Sequence, residues 1–513
     1  MADRTIAHLL ADAAARDPAG TWVRTDHVEL TFAAAATAVG ARSAGLRAHG
    51  VARGDLVVLT ARTNPDYLLA WLAVTCLGAV AVATNPASTQ HELSGLLGQT
   101  RPAAIITDAD LRPVVDAAVS AAGVAVAVLD VADGGIPGDL VTDAAGPDDV
   151  AVLIPTSGTT GRSKLVIQTH RAYVMAAEGF PYWMQLTAND RLMTSLPLFH
   201  INAPAYSVLG SLACGAGLVL LPRFSGSGFL DSARRHGATE FNAIGAMLEI
   251  LMRQPERDDD ADNPLRLCYT GPAPDEQRHL EIERRFGITV VCGYAMSESP
   301  YGLIWPHGRR PFGSLGTLRQ HPTLGVVNEA RVVDDAGNDV PDDAPGELLL
   351  RNPAVTPGYW QMPEVTAETI TAAGWLHTGD LVVRDAGGVY TFIARKKEVL
   401  RRRGENVSPL EIEAAIASHP DVLECAVVAV SSELTEDDIK AFVVGPADLP
   451  RLREWTAAQV APFKVPRYWQ LIDALPRTAT ARVAKHQLPT GHPPGEWDAE
   501  AISSTAADPG ATR

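Results

Sequence analysis

Cysteine is scarce and unpatterned in this sequence of 513 residues. Cys76, Cys214, Cys268, Cys292 and Cys425 are odd in number, widely spaced and form no C-x-x-C pair. That excludes a disulfide framework and a cysteine-rich zinc site, and fits reduced thiols in a cytoplasmic protein. Basic charge is also short: 43 Lys and Arg stand against 60 Asp and Glu, a net charge of −17. Coating a nucleic acid needs a basic surface, so a nucleic-acid binder is excluded, while a local cationic cleft for a nucleotide is not. Glycine and proline, about 15 % together, fall well below low-complexity levels. With 46 % hydrophobic and 20 % charged residues the chain can bury large cores, so wholesale disorder is excluded. Long apolar runs are missing as well. One stretch, Leu68 to Thr84, comes near a membrane span, but Thr75 and Gly78 interrupt it and Asn85-Pro86 ends it, short of ~20 residues. It reads as a buried helix from Pro65 to Leu77, a stop at Gly78 and a short strand from Ala79 to Ala83. The opening MADRTIAHLL has no basic segment leading into an apolar core, so no signal peptide is expected.

What is present is alternation. Apolar β-rich runs (Leu56 to Thr60, Ala103 to Thr107, Val124 to Leu129, Val150 to Pro155) are separated by Ala-rich helical windows such as Phe32 to His49 and Gln90 to Gln99. That spacing predicts parallel α/β layers. After about Gly346 short alternating strands and Asp-Gly turns take over, leading to a compact unit with helices near Pro409 and Asp448. The fold class is therefore α/β: a large multi-layer N-terminal domain of sheets and helices over 1–385, then a small mobile α+β C-terminal domain over 386–489. The Gly-Gly of the Asp385 to Gly388 turn is the expected hinge. The tail, 490–513, is rich in Pro, Gly, Ala and Ser and is expected to be disordered.

The most informative segment runs Ile154-Pro155-Thr156-Ser157-Gly158-Thr159-Thr160-Gly161-Arg162-Ser163-Lys164. An apolar strand enters a loop of hydroxyl and glycine residues that closes on two cations. Glycines let backbone approach a phosphate, hydroxyls and N–H groups donate to it, and Arg162 and Lys164 supply charge. It is not a Walker A loop, which needs Gly-Lys followed by Ser or Thr.

This loop resembles the phosphate loop of the ANL superfamily of adenylate-forming enzymes, usually TSGTTGxPKG, with Ser163 for Pro and Leu165 for Gly. Further segments resemble the superfamily's motifs in the right order: Leu196 to His200, Tyr269 to Pro274, Gly293 to Glu298, Trp375 to Asp380, Ala394 to Glu398, Arg403 to Glu413 and Ala461 to Pro466. The resemblance covers about residues 5 to 489. It implies ATP, Mg²⁺ and CoA as cofactors and co-substrates, and a small-molecule acid as partner. Thr156, Ser157, Gly158, Thr159, Thr160, Gly161 and Lys164 would cradle phosphates. Gly271, Pro272 and Ala273 would lie under the adenine, with Tyr294 stacked on it and Ser297 beside it. Glu298, with Thr156, would hold Mg²⁺, a hard ion suited to carboxylate, water and phosphate oxygens. Asp380 would take the ribose hydroxyls, Arg395 would make a second nucleotide contact, and Gly404 and Glu405 would face CoA.

His200 would stand beside the acid, and Asn202, Gly245, Ala246, Gly293, Met296 and Pro300 would line its pocket. These are small or apolar and include no carboxylate for an ammonium group, so an aryl or an unsaturated or medium acyl acid fits better than an amino acid. Amino-acid-activating relatives place an Asp where Phe241 or Asn242 stands here. The main departure is near the C-terminus, where the usual PRTxxGKIxK reads Pro476-Arg477-Thr478-Ala479-Thr480-Ala481-Arg482-Val483-Ala484-Lys485. Arg482 keeps the charge of the catalytic lysine with bulkier geometry, and Lys485 is the other candidate. The leading expectation is a ligase that adenylates a small carboxylic acid and transfers the acyl group to CoA. The alternatives are a nitrite-adenylating diazotase acting on an aryl amine in secondary metabolism, and a nucleotide-binding, non-catalytic paralogue. A cytoplasmic enzyme without a membrane span is expected, with a homodimer as the assembly considered.

Overall fold

The computed structural model describes residues 4–156, 164–271, 273–396, 400–402, 405–431, 437–477 and 483–500. The chain divides into two compact units. One holds 1–344, 348–378 and 383–391; the other holds 345–347, 379–382 and 392–513. The chain thus enters the smaller unit for good at Phe392 rather than at 386. The Asp385 to Gly388 turn stays in the larger unit, closed by the Asp385 carboxylate, which accepts from the Gly387 and Val389 amides at 2.8 and 2.9 Å.

The larger unit contains two big sheets. A six-stranded sheet runs, in spatial order, Ala127–Asp130, Ala104–Thr107, Leu56–Thr60, Val80–Ala83, Val150–Thr156 and Lys164–Thr169. All its pairs are parallel except the last, an antiparallel hairpin. A nine-stranded sheet runs Thr317–Leu318, Ser299–Ile304, Thr289–Met296, Leu267–Thr270, Glu240–Asn242, Arg191–Thr194, Gly217–Leu220, Thr21–Arg24 and Glu29–Thr31. Its centre is parallel, and strand Ser299–Ile304 turns back antiparallel on Thr289–Met296. The βαβ alternation in the sequence is what places helices on these sheets.

Local chemistry explains the element ends. Helix Pro65–Cys76 starts at Asn64, whose side chain accepts from the Tyr67 amide at 2.7 Å, with Pro65 at the first helical position. It ends before Gly78, which sits at φ +79°. Every residue from Tyr67 to Cys76 is buried, so the apolar run is a core helix joined to strand Val80–Ala83. At ~1.5 Å per residue such a helix is too short for a bilayer, and no helix among the described residues is long and apolar enough to cross one. Burial raises the thiols of Cys76 and Cys292 to about 12, so both stay protonated.

A four-stranded sheet joins Glu329–Val333, Pro345–Arg351, Leu376–Arg384 and Tyr390–Arg395. The smaller unit adds the hairpin Leu400–Arg402 and Glu405–Val407 and a sheet of Glu424–Ser431, Asp437–Val444, Tyr468–Leu471 and Trp497–Asp498. Helices Pro409–Ala417 and Leu449–Ala457 pack with that sheet around Ile412, Ile416, Leu452 and Trp469. The last strand differs from the expectation for the tail. Trp497 and Asp498 pair with Trp469 and Tyr468, and Arg467 grips both oxygens of Asp498 at 3.0 Å. Low periodicity concealed this, because a two-residue strand held by one arginine needs no hydrophobic pattern.

One buried group makes stability depend on pH. Glu240, in the middle of the nine-stranded sheet, is fully buried, and neither carboxylate oxygen has a hydrogen-bond partner. Desolvation, then the charge of Asp190, raises its pKa well above the ordinary value. The native state therefore keeps a proton that the unfolded chain releases near pH 4.3, so stability falls as pH rises above that value. The slope is about 1.4 kcal/mol per pH unit until the native carboxyl ionises. Glu240→Gln is expected to raise the melting temperature at pH 7 and flatten this slope, measured by thermal unfolding from pH 5 to pH 8.

Candidate active site

The phosphate-loop segment hangs from a closed hairpin. Thr156 pairs with Lys164 across strands Val150–Thr156 and Lys164–Thr169, and the Thr156 hydroxyl donates to the Lys164 carbonyl at 3.2 Å. Ser157, Gly158, Thr159, Thr160 and Gly161 lie outside the described residues, as do Pro272, Gly404 and Arg482. Lys164 opens the returning strand, and its ammonium stands 5.5 Å from the centroid of the Tyr359 ring.

Glu298 sits in the tight turn between strands Thr289–Met296 and Ser299–Ile304. Strand Thr289–Met296 carries Gly293, Tyr294 and Met296 up to that turn. Three contacts fix the turn. The Gln168 amide donates to the Ser297 carbonyl at 2.6 Å, and the Thr356 N–H donates to the Glu298 carbonyl at 2.7 Å. The Tyr359 phenol donates to Glu298 Oε1 at 2.8 Å. Burial and the adjacent Glu298 carboxylate push that phenol above its ordinary pKa, so it remains a donor. Glu298, Tyr359 and Lys164 thus form one row beside the hairpin. This donor set suits a Mg²⁺–triphosphate: a carboxylate for the ion and an ammonium for phosphate oxygens. Tyr359, Gln168 and Thr356 were missed by motif reading. Thr356-Pro357-Gly358-Tyr359 is a turn signature, but nothing local marks the phenol as a partner for Glu298.

Close backbone approach shapes the nucleotide wall. A Cβ on Gly271 would lie 2.4 Å from the Gly293 carbonyl oxygen, so only glycine fits there. Ala273 and Tyr294 are half-buried, and the Tyr294 hydroxyl donates to the Met296 sulfur at 3.8 Å.

The acid-side residues form a wall of small groups and amides. Asn242 ends strand Glu240–Asn242 and donates to Asn202 at 2.7 Å, while Phe241 points away and packs edge-on against Phe229 at 4.9 Å. Of the two candidates for the amino-acid-recognition position, Asn242 is thus the one beside Asn202. Gly245 and Ala246 open helix Gly245–Met252, with Ala246 exposed. Pro300 is buried, and its carbonyl accepts from Tyr206 at 2.6 Å. Tyr206 lies on the π-helical turn Ala203–Val208 that follows Asn202. His200 is half-buried with its ring 4.4 Å from Phe199.

In the smaller unit the structure brings two nucleotide candidates together. Asp380 is fully buried, and Arg395 Nε approaches its Oδ1 at 2.8 Å. Beside them Glu347 accepts from the Gly379 amide and from Lys396, both at 3.1 Å. Glu405 begins strand Glu405–Val407. Lys485 lies 2.8 Å from the carboxylate of Glu413, which also accepts from the Val427 amide at 2.6 Å.

The role of Tyr359 is open to direct measurement. Tyr359→Phe keeps the ring over Lys164 and removes the donor to Glu298. A hydrogen bond to a charged group contributes about 1.5–3 kcal/mol. The expected result is a rise of roughly tenfold or more in the KM for Mg-ATP, with little change in melting temperature. Initial rates across an ATP titration check it.

Comparison with known proteins identifies the family. The AMP-binding enzyme family matches residues 10–360, and the AMP-binding enzyme C-terminal domain matches 411–482. The chain is 31 % identical over 503 residues to the sulfoacetate–CoA ligase of Cupriavidus necator, covering 94 % of this chain and 97 % of that one. It is 28 % identical over 466 residues to the crotonobetaine/carnitine–CoA ligase of Salmonella agona, covering 86 % and 89 %. Among solved structures, ATP-bound MatB from Rhodopseudomonas palustris superposes with a TM-score of 0.86 at 27 % identity, covering 94 % and 97 %. The o-succinylbenzoate CoA synthetase of Bacillus subtilis, in complex with its acyl-adenylate, gives 0.85 at 25 % identity, covering 96 % and 99 %. The chain belongs to the AMP-binding enzyme family, within the ANL superfamily of adenylate-forming enzymes, and is an AMP-forming acid–CoA ligase.

Proposed function

We propose that this enzyme activates a small carboxylic acid, an aryl or an unsaturated or medium acyl acid, and passes the acyl group to CoA. The observation that carries the reading is the row Lys164, Tyr359, Glu298 beside the Thr156 hairpin. It holds a cation for phosphate and an anion for a metal in one place. The neutral Asn202–Asn242 pair supports an acid without an ammonium group, since nothing in that pair would balance a positive charge. The names of its relatives support CoA as the acceptor.

In the first step a carboxylate oxygen attacks the α-phosphorus of ATP, the bond to the β-phosphate oxygen breaks, and pyrophosphate leaves. Lys164 and the Thr156 hairpin orient the phosphates, and Tyr359 keeps Glu298 aimed at the metal position. Mg²⁺, when bound, would neutralise charge on the leaving pyrophosphate. Gly271 keeps the nucleotide wall open to close approach, and Asp380 would hold the ribose hydroxyls with Arg395 alongside. In the second step the CoA sulfur attacks the acyl carbonyl and AMP leaves.

Arg482 is assigned the role of the usual lysine. Lys485 is less suited, because Glu413 already holds its ammonium in place. The test is a pyrophosphate-exchange assay. Arg482→Ala is expected to lower the rate by about 10²–10³, and Lys485→Ala by far less. Equal small effects would remove Arg482 from the mechanism. The chemistry as a whole is tested by incubating the enzyme with ATP, Mg²⁺ and a mixed acid library, with and without CoA, and identifying products by mass spectrometry. Acyl-AMP without CoA and a thioester with it are expected. Diazo absorbance with nitrite and an aryl amine, or silence across the library, would overturn the reading.

A further inference from the structure

Arg319 is among the largest side chains that the fold buries completely. Its Nε donates to the Leu303 carbonyl at 3.0 Å, and its Nη1 donates to the Tyr206 hydroxyl at 2.7 Å and the Pro300 carbonyl at 2.9 Å. Its Nη2 donates to the Tyr269 hydroxyl. The guanidinium also lies 4.5 Å from the Trp183 ring centroid and 5.1 Å from that of Tyr206. Among the described residues no carboxylate pairs with it. Phenols, carbonyls and aromatic faces satisfy its hydrogens but leave its unit charge uncancelled. A buried charge without a counter-ion is costly, and its field is screened little by its low-dielectric surroundings.

Its location gives that field a direction. A Cβ added to Gly293 would lie 3.0 Å from Arg319 Nη2 and 2.8 Å from the Tyr269 ring, so the guanidinium is packed directly behind Gly293. Pro300, another of its partners, belongs to the same proposed acid wall. Tyr206 follows Asn202 by one helical turn. The Arg319 cluster therefore lies directly behind Gly293 and Pro300 of that proposed wall, and Trp183, Tyr206 and Tyr269 around it are buried, so the space behind the wall is filled.

We propose that Arg319 sets the acid specificity of this enzyme, forming a positively charged floor behind the acid wall that selects an acid of at most medium length with a neutral or anionic far end. This rests on the reading that Gly293, Met296, Pro300 and Asn202 line the acid pocket. An acid with a trimethylammonium tail meets like charge across a thin wall, and a long chain meets a filled core.

The experiment compares Arg319→Met, Arg319→Lys and Arg319→Ala with the parent enzyme. Acid-dependent pyrophosphate release is measured on a ladder of straight-chain acids and on length-matched acids ending in methyl, carboxylate or trimethylammonium. The parent is expected to favour acids of short to medium length over long ones, and the carboxylate end over the ammonium end. Arg319→Met, which keeps length and loses charge, is expected to shrink the carboxylate-to-ammonium ratio of kcat/KM by about tenfold, while Arg319→Lys keeps it. Arg319→Ala is expected to lengthen the preferred chain. Should Arg319→Ala fail to fold by circular dichroism, the Met and Lys pair decides alone. An unchanged ratio in a folded Arg319→Met enzyme with parental KM for ATP overturns the proposal. Met296→Ala separates the underlying reading. If it alters the KM for acids while Arg319→Met leaves the ratio unchanged, only the Arg319 proposal falls. If Met296→Ala alters no acid KM, the pocket assignment falls with it.

Discussion

The site of the larger unit depends on one stretch of main chain lying along another. Residues Thr356 to Trp360 run beside strand Lys164–Thr169. The Ile167 amide donates to the Gly358 carbonyl at 3.0 Å, the Trp360 amide donates to the Leu165 carbonyl at 2.9 Å, and the Thr356 hydroxyl bonds the Ile167 carbonyl. This seam delivers Tyr359 to Lys164 and, through Thr356, holds the turn that carries Glu298. Lys164 and Glu298 would otherwise hang on separate sheets. Hydrogen bonds between main chains hold such a seam in one register, which side-chain contacts alone would not do.

The acid side works by a different constraint, the absence of side chains. Gly271 abuts the Gly293 carbonyl, Gly293 abuts Tyr269 and Arg319, and a Cβ on Gly302 would lie 2.3 Å from the Tyr294 carbonyl oxygen. Strands carrying Tyr294, Met296 and Pro300 therefore pack at backbone distance. Bulk and charge sit one layer back, in Trp183, Tyr206, Tyr269 and Arg319. The smaller unit uses an ion pair instead: Asp380 is buried yet balanced by Arg395, and Glu347 by Lys396.

Elements whose ends carry their own chemistry were legible before the fold. Helix Pro65–Cys76 announces itself through Asn64, Pro65 and Gly78, and strand Val80–Ala83 through the apolar run after that stop. Strand Thr289–Met296 is hard to read from sequence because Gly293 interrupts the β pattern that Val290 and Val291 begin. Strand Trp497–Asp498 was missed because it is stabilised by Arg467 and by pairing rather than by its own composition. In the site, Lys164, Glu298, Asp380 and Arg395 stood in motifs and could be named. Gln168, Thr356, Tyr359 and Arg319 could not, because their partners are distant in sequence: Gln168 and Ser297, for example, are 129 positions apart.

The order of motifs along the chain determined the superfamily and the cofactors, because glycine loops and short carboxylate turns carry their chemistry locally. Tertiary structure alone decided what the nearby groups do to one another. It turned Asn242 rather than Phe241 toward Asn202, put the Tyr359 phenol on Glu298, and buried Arg319 behind Gly293 with no carboxylate partner among the described residues. Those outcomes are set by strand register and by packing between segments far apart in the chain. A local pattern of residues contains neither.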